Sequence, residues 1–146
     1  MIFALLHLIV WSVDLSFLEN SIASFEAGLT GLESNGNIIA INAQKIEINP
    51  SCTGLISISI LAAVIFSLRK PELKKKIIIF AAGGISLLLL NLLRVYFVIV
   101  VGKTYGIAAG EIAHELSWLS TAIFIIVLWY YLTKRITGTK SFNELV

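Results

Sequence analysis

The chain has 146 residues, 58% of them hydrophobic and only 14% charged, with a mean hydropathy of +0.92. Soluble domains carry roughly a quarter charged residues, so the composition excludes an ordinary soluble domain and indicates an integral membrane protein built as one compact bundle. A single cysteine excludes an internal disulfide, the net charge of +2 selects no partner, and no Cys/His zinc cluster, repeat, low-complexity tract or nucleic-acid motif is present.

Residues 1–18 form the first expected span, apolar but interrupted by His7 and Asp14. A cleaved signal peptide is the competing reading, and the lack of a basic n-region speaks against it. Residues 19–51 are polar and mildly acidic, with Glu19, Glu26, Glu33 and Glu47 against Lys45. Ser34-Asn35-Gly36-Asn37 is a turn signal. After it, Ile39 and Ile41, then Ile46 and Ile48, alternate with small or polar residues, the period-2 pattern of two short strands. This segment is a candidate β-hairpin folded over the membrane surface.

Residues 52–68 are the second span, and a basic loop follows at 69–76. Residues 77–101 make the third span, with Gly83, Gly84, Asn91 and Arg94 inside it, and a short glycine-containing connection, 102–111, leads to the fourth, 112–132. The tail is 133–146. The fold class expected is therefore an all-α membrane protein, a polytopic bundle of about four transmembrane helices in a single domain. The 69–76 loop and the tail hold eight Lys/Arg, whereas the opposite loops hold only Lys45 and Lys103. By the positive-inside rule the loop and tail are cytoplasmic, and 19–51 and 102–111 face out.

Three residues out of place in apolar spans then fall at a common height. Cys52 lies 17 residues before Arg69, and Arg94 lies 17 after Ile77. At helical rise both are about 25 Å above the inner boundary of a core about 30 Å thick. His114, 20 residues before Lys134, is about 30 Å up. Taken singly, each has a plain explanation: Cys52 as a small apolar filler or a palmitoylation site, Arg94 snorkelling to headgroups, His114 capping a helix or binding a lipid phosphate. Together they point to a bundle interior, where intramembrane ionisable residues pair.

Asn91 and Arg94 are i,i+3 neighbours on one helix face, and His114, Ser117 and Trp118 share another. Ser51 is placed to cap the second span, putting Cys52 in its first turn, where free N–H groups and an adjacent Arg stabilise a thiolate. His114 can take the thiol proton and return it to a leaving amine; Arg94 or Asn91 can hold a developing oxyanion. That set suits acyl transfer through a thioester. Cys52, Arg94 and His114 are the candidate catalytic residues. Asn91, Ser51, Gly54 and Ser117 are the candidate supporting ones, and the set calls for no cofactor.

Cys52-Thr53-Gly54-Leu55, Asn91-Leu92-Leu93-Arg94 and His114 at the opening of the last span resemble the motifs of the exosortase/archaeosortase family of membrane transpeptidases. The resemblance covers roughly residues 45–133. It implies that Cys52 is the nucleophile in a Cys-x-Gly context, that Arg94 is the Arg of an Asn-x-x-Arg motif, and that His114 fills the third position, which is His or Arg across the family. It further implies a cysteine peptidase of the plasma membrane that cuts the C-terminal sorting signal of exported proteins: a short motif, a hydrophobic helix and a basic tail. In archaeal members it implies transfer of the new carboxyl end to a membrane lipid. This chain is shorter than many members, which carry extra spans. The competing classes are a non-catalytic membrane subunit or lipid-phosphate-binding protein using Arg94 and His114, and a small channel or transporter, a channel of this length needing oligomers with Arg94 in the pore.

Overall fold

The structure, a computed structural model, describes residues 8, 10, 12–41 and 44–138. It is mostly helical. Helix α1 (Ser16–Thr30) leads into three short strands, β1 (Glu33–Asn35), β2 (Ile38–Ile41) and β3 (Gln44–Glu47). A 3-10 turn, Pro50–Cys52, is followed by α2 (Leu55–Ser67), α3 (Leu73–Tyr105) and α4 (Ile107–Thr137).

Half of the expected first span, residues 1–7, 9 and 11, lies outside the described residues. Its last three positions open α1, which continues into the polar segment in which only a β-hairpin was expected. Asp14 accepts a hydrogen bond from the Ser16 backbone N–H at 2.9 Å near the start of α1. Gly31 ends the helix in a left-handed conformation, with the Leu32 N–H returning to the Ala27 carbonyl. Ile22, Ala23, Glu26 and Ala27 make its buried face.

The strands form an antiparallel sheet in the order β1-β2-β3, so the hairpin expected from the alternation is present and a third strand precedes it. Gly36 and Asn37 make the two-residue turn of the first hairpin, Asn35 pairing with Ile38. Ile39 and Ile41 of β2 are buried as their spacing requires. They pack with Ile22, Ala23, Ala27, Ile48, Val95, Ile99 and Cys52 in one apolar cluster. The helix and sheet thus cover the part of the chain that carries the cysteine.

A second cluster lies between the three later helices, built from Leu61, Ile65, Ile79, Leu87, Ile125 and Trp129. Helices α3 and α4 are long and apolar enough to cross a membrane, whereas α2, with 13 residues, is shorter. At 1.5 Å per residue α2 reaches only about 20 Å. Ile85, Leu89, Leu93, Leu116, Ile123 and Ile126 are more than half exposed, an apolar exterior suited to lipid rather than water. The basic residues Lys74, Lys75 and Lys76 belong to α3 itself, and Lys76 donates its ammonium to the Leu68 carbonyl at the end of α2.

The connection between α3 and α4 is shorter than expected. Only Gly106 separates them, at φ +92°. The two helices almost touch just below it: a Cβ on Gly110 would stand 3.2 Å from the Gly102 Cα and 3.3 Å from the Val98 carbonyl oxygen. Two glycines are needed for that approach.

Candidate active site

Cys52 sits at the end of the Pro50–Cys52 turn, not in the first turn of α2, and Ser51 is not the helix cap. Asn49 caps the turn instead: its side-chain oxygen accepts from the Ser51 N–H at 3.0 Å, from the Ser51 hydroxyl, and from the Cys52 thiol at 3.6 Å. Thr53 closes the turn by donating to the Pro50 carbonyl. The chain then bends through Gly54, at φ +83°, before α2 begins at Leu55. The physical reason is the local sequence. Pro50 has no N–H and suits the first position of a short turn, Asn is a strong cap, and Gly54 supplies the positive φ that ends it. Cys52 is free and 6% exposed.

Helix α3 fixes this loop from one side. Asn91 donates from its amide nitrogen to the Cys52 carbonyl at 2.6 Å, and Arg94 donates from Nη2 to the Ser51 carbonyl at 3.1 Å. Both side chains are 6% exposed. The i,i+3 pair therefore grips two consecutive carbonyls flanking the thiol-bearing residue. Gly54 lies directly against Asn91: a Cβ there would meet Asn91 Cβ and Cγ at 3.1 Å.

Helix α4 closes the other side. The Arg94 guanidinium carbon stands 4.4 Å from the centroid of the Trp118 ring, a cation–π contact. Trp118 donates its indole N–H to Nε2 of His114 at 3.2 Å. With Nε2 accepting, the imidazole carries its proton on Nδ1 in this arrangement. Cys52 and His114 line one cavity of about 370 Å³, together with Asn49, Glu47, Glu111 and Glu115. Ser117 donates to the His114 carbonyl within the helix and lies in a different cavity, with Arg94.

Cys52, Asn91, Arg94, Trp118 and His114 form one run of contacts across the Cys52 loop, α3 and α4. The family model described as transmembrane exosortase matches residues 3–131. The chain belongs to the transmembrane exosortase family. Searches of the curated proteins and of the solved structures return no match. As a transmembrane exosortase the chain is a membrane protein, in keeping with its two long apolar helices. The match extends well to the N-terminal side of the region in which the motifs lie.

Two residues of this candidate site are not apparent from the sequence. Asn49 carries no functional signal beyond being a capping residue before proline. Trp118 shares a face with His114, but its stacking on Arg94 is an inter-helix contact that spacing does not reveal. Glu26 is a third. It is fully buried, neither carboxylate oxygen has a hydrogen-bond partner, and burial pushes its pKa from 4.5 up to about 7.

Among the described residues no group of three or more His, Cys, Asp or Glu is placed to hold a metal ion.

Proposed function

We propose that this exosortase is a membrane cysteine transpeptidase that cleaves the C-terminal sorting signal of exported proteins through a thioester at Cys52. The new carboxyl end passes to an acceptor, a membrane lipid. The observation that carries the reading is the convergence of Cys52, Asn91, Arg94 and His114 from three parts of the chain, with the thiol and the imidazole on one cavity.

The Cys52 thiol loses its proton to His114, whose Nε2 must first leave the Trp118 indole. The thiolate sulfur attacks the scissile carbonyl carbon, and the electron pair moves to the carbonyl oxygen. Arg94 supplies the positive charge beside that oxyanion, while Asn91 and Arg94 hold the Cys52 loop still. Collapse breaks the C–N bond, and the imidazolium protonates the leaving amine. An acceptor hydroxyl, deprotonated by His114, then attacks the thioester and releases the thiol. Gly54 allows Asn91 its close approach, and Ser51 contributes the carbonyl that Arg94 grips.

The site belongs at the outer face of a bundle of about four spans, with residues 69–76 and the C-terminus cytoplasmic. The clustering of Lys and Arg supports this orientation. Cysteine introduced at position 74, in a Cys52→Ala background, should stay unlabelled by an impermeant reagent added outside; labelling there reverses the orientation.

The reaction is tested with a cognate sorting-signal protein co-expressed with wild type, Cys52→Ala and Cys52→Ser. Wild type should process it and form a hydroxylamine-sensitive adduct, and both variants should remain folded but inactive. Substantial processing by the folded Ala variant rules out the thioester.

A further inference from the structure

Strand β3 is the last strand of the sheet, and its outer edge borders the thiol. The register of the ladder fixes which of its backbone groups face that edge. The Ile48 N–H donates to the Asn37 carbonyl at 2.8 Å, one step beyond the Ile38–Glu47 pair. Bonded and non-bonded pairs alternate in an antiparallel ladder. Ile39–Ile46 and Ile41–Gln44 are therefore the bonded pairs, and Ala40–Lys45 and Ile38–Glu47 the non-bonded ones. Lys45 and Glu47 thus turn their backbone N–H and C=O groups away from β2. Among the described residues no backbone group pairs with them there.

Lys45 and Glu47 line the same cavity of about 370 Å³ as Cys52 and His114. The chain runs from β3 directly into the turn that carries Cys52, so the strand edge and the sulfur belong to one wall. Helix α4 supplies another wall with His114, Glu111 and Glu115. The backbone groups there are spent on the helix itself, so α4 offers side chains alone. Main-chain partners in this cavity come from β3. Charged residues on an edge strand ordinarily guard it against pairing with further sheets. Here α4 bounds a cavity of ordinary ligand size, which suits one short segment of chain rather than a second sheet.

We infer that the segment of the substrate to be cut binds in extended form, adding a fourth strand to the outer edge of β3 with its scissile carbonyl beside Cys52. The inference rests on the reading of Cys52 as the nucleophile. A peptide bond inside a helix has its carbonyl engaged by the helix, so the sulfur reaches it only in an opened chain. An opened chain at a membrane surface needs partners for its own N–H and C=O groups, and lipid supplies none. Pairing of alternate residues with Lys45 and Glu47 provides them, whatever the side chains of the segment. Neither an acyl chain nor an intact hydrophobic helix has spare backbone groups to use this edge. β3 is thereby a positioning element: it sets the register of the substrate against the sulfur.

Cys52 is the single cysteine of the chain, so disulfide exchange tethers a peptide at that sulfur and nowhere else. The probe is an acetylated peptide of alternating threonine and valine ending in cysteine amide, supplied as its mixed disulfide with 2-mercaptoethanol. The full-length protein in detergent micelles is brought to equilibrium with it, and the tethered fraction is measured against added 2-mercaptoethanol. Each peptide N–H is then replaced in turn by an ester oxygen, which deletes a donor without adding bulk. Replacement at alternate positions should weaken tethering at least about threefold, the loss of one backbone hydrogen bond, and replacement between them should not. Lys45→Pro removes one outward N–H, at an edge position where proline is tolerated. It should weaken the unmodified peptide by a similar factor, whereas Lys45→Ala, which keeps the N–H, should not. Should Lys45→Pro fail to fold, the ester scan on wild type decides alone. Uniform insensitivity to the esters overturns the proposal, as does failure of the folded protein to accept any tether. A dimer in micelles that Lys45→Pro dissociates assigns the edge to a second copy of the chain and also overturns it. Tethering involves no turnover, so a flat ester scan beside intact processing refutes the strand pairing alone, and an alternating scan without any thioester refutes the transpeptidase reading instead.

Discussion

Replacing Gly54 with alanine tests how tightly the thiol loop is built. Two effects add. The backbone at Gly54 has φ +83°, where an L-residue is strained by about 1–2 kcal/mol. The new Cβ would also stand 3.1 Å from Asn91 Cβ and Cγ, so Asn91 must retreat. Its 2.6 Å bond to the Cys52 carbonyl then weakens, which removes about 0.5–1.5 kcal/mol more. Gly54→Ala should therefore destabilise the protein by about 1.5–3.5 kcal/mol on those two terms. It should also slow modification of Cys52 by a thiol reagent under native conditions, because the loop no longer holds the sulfur in place. Gly84→Ala is the control. A Cβ at Gly84 meets nothing within 4 Å, and the residue is inside α3, so alanine should be neutral or stabilising by up to about 1 kcal/mol. The assay is unfolding in mixed micelles, followed by circular dichroism. Equal stability of Gly54→Ala and wild type, or an equal loss in Gly84→Ala, would refute the reasoning.

Two further outcomes follow from buried charge. Arg94→Lys should insert and fold but lose roughly 100- to 1000-fold in processing rate, since an ammonium cannot both hold the Ser51 carbonyl and stack on Trp118 as a planar guanidinium does; near-wild-type turnover would reduce Arg94 to a membrane anchor. Glu26 should make stability depend on pH: its native pKa of about 7 lies above the ordinary 4.5, so between these values the native state binds more protons than the unfolded one, and stability falls as pH rises through that window and levels off above about 7. Glu26→Gln should flatten that slope when unfolding is followed across pH 4–8, and an unchanged slope would show that Glu26 is not its source.

Much of the candidate site was legible because polar residues are rare in apolar spans. Cys52, Asn91, Arg94 and His114 stand out against the apolar runs around them, and helical spacing puts Asn91 and Arg94 on one face. Their side chains do hold consecutive carbonyls of one loop. The loop's own conformation was harder to read. Ser51 and Asn49 are both good caps, and only the glycine kink at position 54 decides that the α-helix starts three residues after Cys52. Helix α1 escaped notice because Glu19 and Glu26 make the segment look like a polar surface, and one of those carboxyls lies on the buried face. The sheet was visible in part: alternating isoleucines mark β2 and β3, but Glu33-Ser34-Asn35 has no apolar alternation and becomes a strand by pairing with β2. Trp118 became part of the site through contact with another helix, which no local pattern encodes.

The central claim is that Cys52, Arg94 and His114 act as one site. The direct measurement is the rate of Cys52 alkylation against pH in wild type, Arg94→Lys and His114→Ala, each checked for folding. The account expects Arg94→Lys to alkylate more slowly than wild type, because an ammonium cannot both hold the Ser51 carbonyl and stack on Trp118, so the thiol loop is less well held. It expects His114→Ala to react more slowly as well, because the base that takes the thiol proton is gone. Three coincident profiles would contradict the account and leave the non-catalytic membrane subunit as the better description.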